Sequence, residues 1–146
     1  MLTVIVETAD SGDRLPALLA CLTSASVEGL VREVLIAGGG PPELLAVLRE
    51  ETGAELSIDL ADALSAARSD WLLVLPARIR LRPGWLSLLA THLRGGGGEA
   101  VVFGEAGFLR ARPFGVVIGR ESARALVHPD LQRLRRKLAR GAARLR

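Results

Sequence analysis

Arg78, Arg80 and Arg82, at alternate positions, are the residues of this 146-residue chain best suited to chemistry. A guanidinium is permanently charged and can fork two N–H donors onto one anionic group. Such groups beside a strand end suit a diphosphate, although the same pattern fits a solvated loop. Gly38–Gly40 would let backbone approach a nucleotide closely, and would equally serve a plain strand-to-helix turn. His92 and His128 have no evident partner, Cys21 is the only cysteine, and no Cys/His spacing suits a metal. Acid–base carboxylate pairs, a Ser/His/Asp set and a phosphate-loop motif are absent from persuasive positions.

The elements that must position these residues follow from hydrophobic patterning. Trp71–Leu75 is an apolar run suited to a strand buried on both faces, and Pro76 ends it. Pro83-Gly84 then opens a helix with Trp85, Leu86, Leu89 and Leu93 on its apolar side. In open α/β sheets, ligands sit beyond the carboxyl ends of strands, where the arginines fall. Upstream, strands are expected at Leu2–Val6, Val31–Ala37 and Glu55–Ile58. They alternate with a helix carrying Leu15, Leu18, Leu19 and Leu22, a helix at Glu43–Thr52 and a short one at Leu60–Ala67. This alternation predicts a three-layer α/β/α fold with a mostly parallel, doubly wound sheet. Downstream, Gly95–Gly98 reads as a flexible loop, Ala100–Phe103 and Phe114–Ile118 as strands, and Arg120–Val127 as a short helix.

A net charge of +3 conceals a polarity along the chain. Residues 1–70 carry 12 acids and 4 bases, whereas residues 71–146 carry 4 acids and 15 bases. The imbalance points to an anionic partner for the second half. It is steepest near the end, where a helix is expected over Leu131–Leu145 with Asp130 as its N-cap. Arg133, Arg136, Lys137, Arg140 and Arg144 would line its polar surface, making it an amphipathic basic helix. Three readings are open: docking on the domain, lying on an anionic membrane, or, last in order, binding nucleic acid. No apolar run reaches the length of a membrane span, and no charged leader precedes the first strand, so a cytoplasmic or peripheral-membrane location is expected.

Over residues 1–120 the order and spacing resemble glycosyltransferase family 2, the nucleotide-diphospho-sugar transferases with the GT-A fold. In that family the first strand runs Val-Ile-Val-Pro-Thr-Tyr-Asn; here Val4-Ile5-Val6-Glu7-Thr8-Ala9-Asp10 stands in its place. The family's second strand ends Val-Asp-Asp-Gly-Ser, where this chain has Ala37-Gly38-Gly39-Gly40-Pro41. Its fourth strand ends in an acidic cluster followed by a Pro-Gly-Trp-Leu helix start. Pro83-Gly84-Trp85-Leu86 matches the helix start, while Pro76-Ala77-Arg78 replaces the acids.

The resemblance implies a GT-A-like domain over 1–127, with a nucleotide-binding-like half at 1–93, a shortened second part at 94–127, and the basic helix at 128–146. It adds Thr8 and Asp10 to Gly38, Gly39, Arg78 and Arg80 as nucleotide-binding candidates. His128-Pro129-Asp130-Leu131 resembles the family's base motif, which makes Asp130 a candidate catalytic base beside its role as a cap. A nucleotide or nucleotide-sugar is the expected ligand. The family's divalent ion is not expected, because an arginine replaces the carboxylates that would ligate it. The expected function is thus a glycosyltransferase-like nucleotide-binding scaffold without metal-dependent sugar transfer. The alternative is a non-catalytic assembly module at an anionic membrane surface.

Overall fold

The computed structural model describes residues 2–8, 15–39, 42–105, 112–138 and 140–146. Its first half alternates strand and helix: β1 (Leu2–Glu7), α1 (Leu15–Val27), β2 (Val31–Ala37), α2 (Pro42–Thr52), β3 (Glu55–Ser57), α3 (Leu60–Ala66), β4 (Trp71–Pro76) and α4 (Trp85–Arg94). The second half holds β5 (Ala100–Phe103), β6 (Phe114–Gly119), α5 (Arg120–Arg124), α6 (Leu131–Lys137) and β7 (Ala143–Leu145). Among the described residues, the seven strands form one sheet in the order β3-β2-β1-β4-β6-β5-β7. The pairs β2/β3, β1/β2 and β1/β4 are parallel, whereas β6 runs antiparallel to both β4 and β5.

Strand alternation builds both faces of the sheet. On one face Val4, Val6, Leu73 and Leu75 pack with Leu15, Leu18, Leu19 and Leu22 of α1, Leu45 and Leu48 of α2, and Leu89 of α4. On the other, Ile5, Leu72, Val74, Val116 and Ile118 pack with Leu60, Ala63 and Leu64 of α3, Ala123 of α5 and Leu134 of α6. Each fully buried leucine contributes about 1.5–3 kcal/mol of transfer free energy. A continuous apolar run such as Trp71–Leu75 is therefore stable only where both faces are covered. The helix at Pro83-Gly84 forms as expected, with Trp85, Leu86 and Leu93 packed around the buried Leu89.

The carboxyl-terminal segment departs from expectation. The basic helix predicted over Leu131–Leu145 stops at Lys137, and the chain returns as β7 to pair in parallel with β5, Ala143 opposite Ala100 and Leu145 opposite Val102. Helical periodicity was a true signal only for the first two turns, which bury Leu134 completely. Beyond them, a longer helix would concentrate like charges, whereas the open edge of β5 offers unpaired backbone groups. Gly141, with φ of +83°, lies in the turn between the two elements. Leu145 consequently joins the core from a strand. Arg140 and Arg144 lie outside α6, so residues 128–146 do not form a single basic amphipathic helix.

The four-glycine loop carries local hydrogen bonds that its composition does not reveal. Backbone bonds run from Gly95 N–H to the Thr91 carbonyl and from Gly97 N–H to the His92 carbonyl. The His92 ring nitrogen Nε2 lies 2.9 Å from the Gly98 carbonyl oxygen, giving His92 the partner that its sequence context did not reveal.

Candidate functional site

The parallel strands β1, β2 and β4 end on one edge of the sheet, and the β4–α4 connection crosses that edge. Its conformation follows from alternation: Ala77 and Ile79 are buried, while Arg78 and Arg80 between and beyond them are exposed. The Ala77 N–H donates to the Glu7 carbonyl at 2.8 Å, and the Ile79 N–H to the Pro76 carbonyl at 3.1 Å. These contacts fix the backbone from which Arg78 projects.

Arg78 lines an open crevice of about 410 Å³ beyond the ends of β1 and β4. Glu7 and Pro76 form its floor, paired across the two strands, and Phe114 enters from the start of β6. The first turn of α6 supplies the opposite wall with Leu131, Gln132, Arg133 and Arg136, and Asp130 precedes them. Arg78 and Arg136 thus face the same space from different elements.

Other candidates are placed differently. Arg80 does not line the crevice; its carbonyl accepts the Glu105 N–H at 2.7 Å, tying the arginine loop to the segment after β5. A Cβ on Gly104 would meet Ile79 Cγ1 at 2.6 Å and the Arg80 carbonyl oxygen at 2.8 Å, so this close approach requires glycine. Thr8 is buried, and its hydroxyl donates towards the carbonyls of Gly39 at 2.8 Å and Ala37 at 3.2 Å, joining the ends of β1 and β2. Gly38, with φ of +111°, donates its N–H to the Ser57 carbonyl, and Gly39 is exposed. The Gly38–Gly39 turn therefore sits at the same sheet edge without lining the crevice. Asp10 lies outside the described residues.

Asp130 caps α6: Oδ1 accepts the Arg133 N–H at 2.8 Å, and Oδ2 lies 3.5 Å from Arg133 Nε. Arg133 also donates from Nη1 to the His128 carbonyl at 2.7 Å, so much of its donor capacity is directed within the chain. Lys137 is exposed at the end of α6, Arg140 in the following turn and Arg144 on β7; none of the three lines the crevice. Sequence reasoning missed Glu7, Gln132 and Phe114 as crevice residues. Strand pairing of β1 with β4 could have revealed Glu7. Phe114 and Gln132 arrive through the antiparallel return of β6 and the docking of α6, which leave no local signal.

Among the described residues, the carboxylates lining the crevice are Glu7 and Asp130. Pro76, Ala77 and Arg78 offer no oxygen-bearing side chain at the end of β4, and the described residues contain no group of three or more His, Cys, Asp or Glu that could hold a metal ion. These residues do not fit a preformed divalent-ion cage. Among the described residues, no helix is long and apolar enough to cross a membrane.

No protein-family model matches the sequence, and no curated protein does. Solved structures do match in fold. Glucosyl-3-phosphoglycerate synthase from Mycobacterium tuberculosis, in complex with Mn2+, UDP and glucosyl-3-phosphoglycerate, aligns with a TM-score of 0.61 at 14% identity, covering 84% of this chain and 58% of that one. The same enzyme with Mn2+, UDP-glucose and phosphoglyceric acid gives a TM-score of 0.62 at 15% identity, over 84% and 57% of the two chains. Mannosyl-3-phosphoglycerate synthase from Rubrobacter xylanophilus gives 0.61 at 16% identity, over 84% and 55%. This chain therefore spans a little over half the length of these structures. The Mn2+ in the Mycobacterium tuberculosis structures corrects one expectation: enzymes of this fold are found with a divalent ion, so the fold itself gives no ground for expecting none. The α/β sheet described above shares the GT-A fold of these synthases.

Proposed function

We propose that the crevice binds the diphosphate of a nucleoside diphosphate or nucleotide-sugar. The observation that carries this reading is the position of Arg78, exposed at the end of β4 and facing the crevice. Arg136 adds a second guanidinium from α6. Two permanently charged groups can divide the phosphate oxygens between them. UDP and UDP-glucose in the structural neighbours support the same class of ligand. Thr8 and Gly38 contribute by shaping the neighbouring strand ends, and Arg80 by anchoring the loop that carries Arg78.

Within this reading the chain is a binding scaffold with weakened or absent sugar transfer. The family's acidic positions after β4 hold Pro76, Ala77 and Arg78. Asp130, the candidate base, already accepts one hydrogen bond and pairs with Arg133. The anionic-membrane alternative gains no support, because the basic residues that suggested it are divided among α6, a turn and β7.

Thermal unfolding with UDP, UDP-glucose and GDP, each with and without Mn2+, tests the proposal. Ligand at about one hundred times its Kd stabilises by roughly 2.7 kcal/mol, a rise of about 5–10 °C for a domain of this size. Arg78→Ala should remove that rise. No shift with any nucleotide, in either condition, would overturn the binding reading. Release of UDP from UDP-glucose that disappears in Asp130→Asn would overturn the loss of transfer.

A further inference from the structure

A second hollow, of about 240 Å³, opens on the same edge of the sheet and is independent of the nucleotide reading. Trp85, Leu88 and Leu89 of α4 line one side; Val102 and Phe103 of β5 and Leu145 of β7 line the other. Two exposed arginines, Arg82 and Arg146, complete it together with the Pro83-Gly84 turn. Among the described residues, none lines both this hollow and the crevice. Phe103 belongs to the hollow and Phe114 to the crevice, and the two are paired across β5 and β6. The Arg135 guanidinium lies 5.7 Å from the Phe103 centroid and 4.6 Å from that of Phe114.

The composition of this hollow is specific. Its walls are aromatic and aliphatic, and Leu88 is left 39% exposed beside them. Among the described residues neither Arg82 nor Arg146 forms an ion pair, although Arg146 lies 5.7 Å from the Phe103 centroid. Water against such walls is readily displaced by apolar groups. An apolar cavity of roughly 150 Å³ accepts a benzene ring, so this one has room for a single ring or a short acyl chain. A neutral apolar ligand would use the walls and leave both guanidinium groups unengaged; an inorganic anion would do the reverse.

We propose that this hollow binds a small amphipathic anion: one ring or a short acyl chain bearing a phosphate or carboxylate. The apolar part lies against Trp85 and Phe103, and the anionic head meets Arg82 and Arg146. The site owes its existence to the return of the chain as β7, which brings Leu145 and Arg146 beside β5.

Trp85 supplies the readout. The protein has two tryptophans, and Trp71 belongs to the opposite end of β4, so two indole N–H signals in a proton–nitrogen spectrum of the full chain separate the site from a control. Trp71→Phe or Trp85→Phe, whichever folds, assigns them. Phenyl phosphate should shift the Trp85 signal saturably and leave Trp71 in place. Phenol should bind at least about tenfold more weakly, since it forgoes the charge-assisted hydrogen bonds. Arg82→Gln should reduce phenyl phosphate affinity at least about fivefold by the same loss, while leaving any response to UDP intact. Equal affinity for phenol, an unaffected Arg82→Gln variant, or no saturable shift would each overturn the proposal. So would a Trp85 response to phosphatidylglycerol vesicles but not to phenyl phosphate, which would assign the hollow to a membrane lipid.

Discussion

The two halves of this domain are held together by different means. From β1 to β4, parallel strands bury continuous aliphatic runs beneath α1, α2 and α3, and the contacts are mainly apolar, with short polar ties through Thr3, Thr8 and Glu33. From β6 onwards, arginine side chains act as struts. Arg124 donates from Nε to the Leu64 carbonyl at 2.9 Å and from Nη2 to those of Ser65 and Ala67 at 2.8 and 3.1 Å, closing the carboxyl end of α3. Arg120 reaches the Arg68 carbonyl and pairs with Asp70 at 3.3 Å, and Arg135 covers Phe103 and Phe114. A basic excess that looks from composition like an invitation to anionic partners is therefore partly directed inward. Guanidinium groups suit this role because one side chain can satisfy several orphan helix carbonyls and complement the helix dipole.

Substitutions in the two halves should separate these mechanisms. The largest loss is expected from Leu73→Ala, at the centre of β4, which creates a cavity costing about 3 kcal/mol. Its melting temperature should fall by roughly 6–12 °C; a drop of only a degree or two would show that the parallel half repacks freely. Arg124→Ala should come next, at about 1.5 kcal/mol for its charged hydrogen bonds, with Arg124→Lys recovering little because an ammonium cannot reproduce the fork. Full recovery by lysine would reduce the strut to simple charge. Arg135→Ala should cost about 1 kcal/mol through lost cation–π contacts, and Arg135→Met, which keeps the stem but not the charge, distinguishes packing from charge. Arg78→Ala, at an exposed position, should change stability by about 0.5 kcal/mol or less, yet abolish the nucleotide-dependent rise in melting temperature. Urea unfolding of these four variants, with and without UDP, would rank them directly.

The parallel half was legible residue by residue. Val31–Ala37 forms a strand with the expected bounds, and the predicted inward leucines of α1 and α2 are the ones that meet the sheet, with Leu44 only partly buried. Local pattern suffices there because a strand buried on both faces and an amphipathic helix have different apolar periods. The site was legible in part: alternation correctly turned Arg78 outward at a strand end. Alternation could not separate Arg78 from Arg80, since both are exposed and distant elements distinguish their surroundings: α6 across the crevice from Arg78, and Gly104 and Glu105 against Arg80. Leu145 shows the other limit. It fits a helical stripe and is buried, yet it is buried from β7.

The amino-acid sequence by itself determined the alternating elements and the cationic character of the β4–α4 connection, because each depends on residues close together in the chain, and the alternation in turn implied the parallel core. Tertiary structure alone decided that Arg78 would share a crevice with Glu7 and Arg136, and that the final residues would complete a sheet edge and an apolar hollow. Those outcomes depend on an unpaired strand edge and on distant elements meeting. A backbone hydrogen-bonding partner far along the chain leaves no periodicity behind.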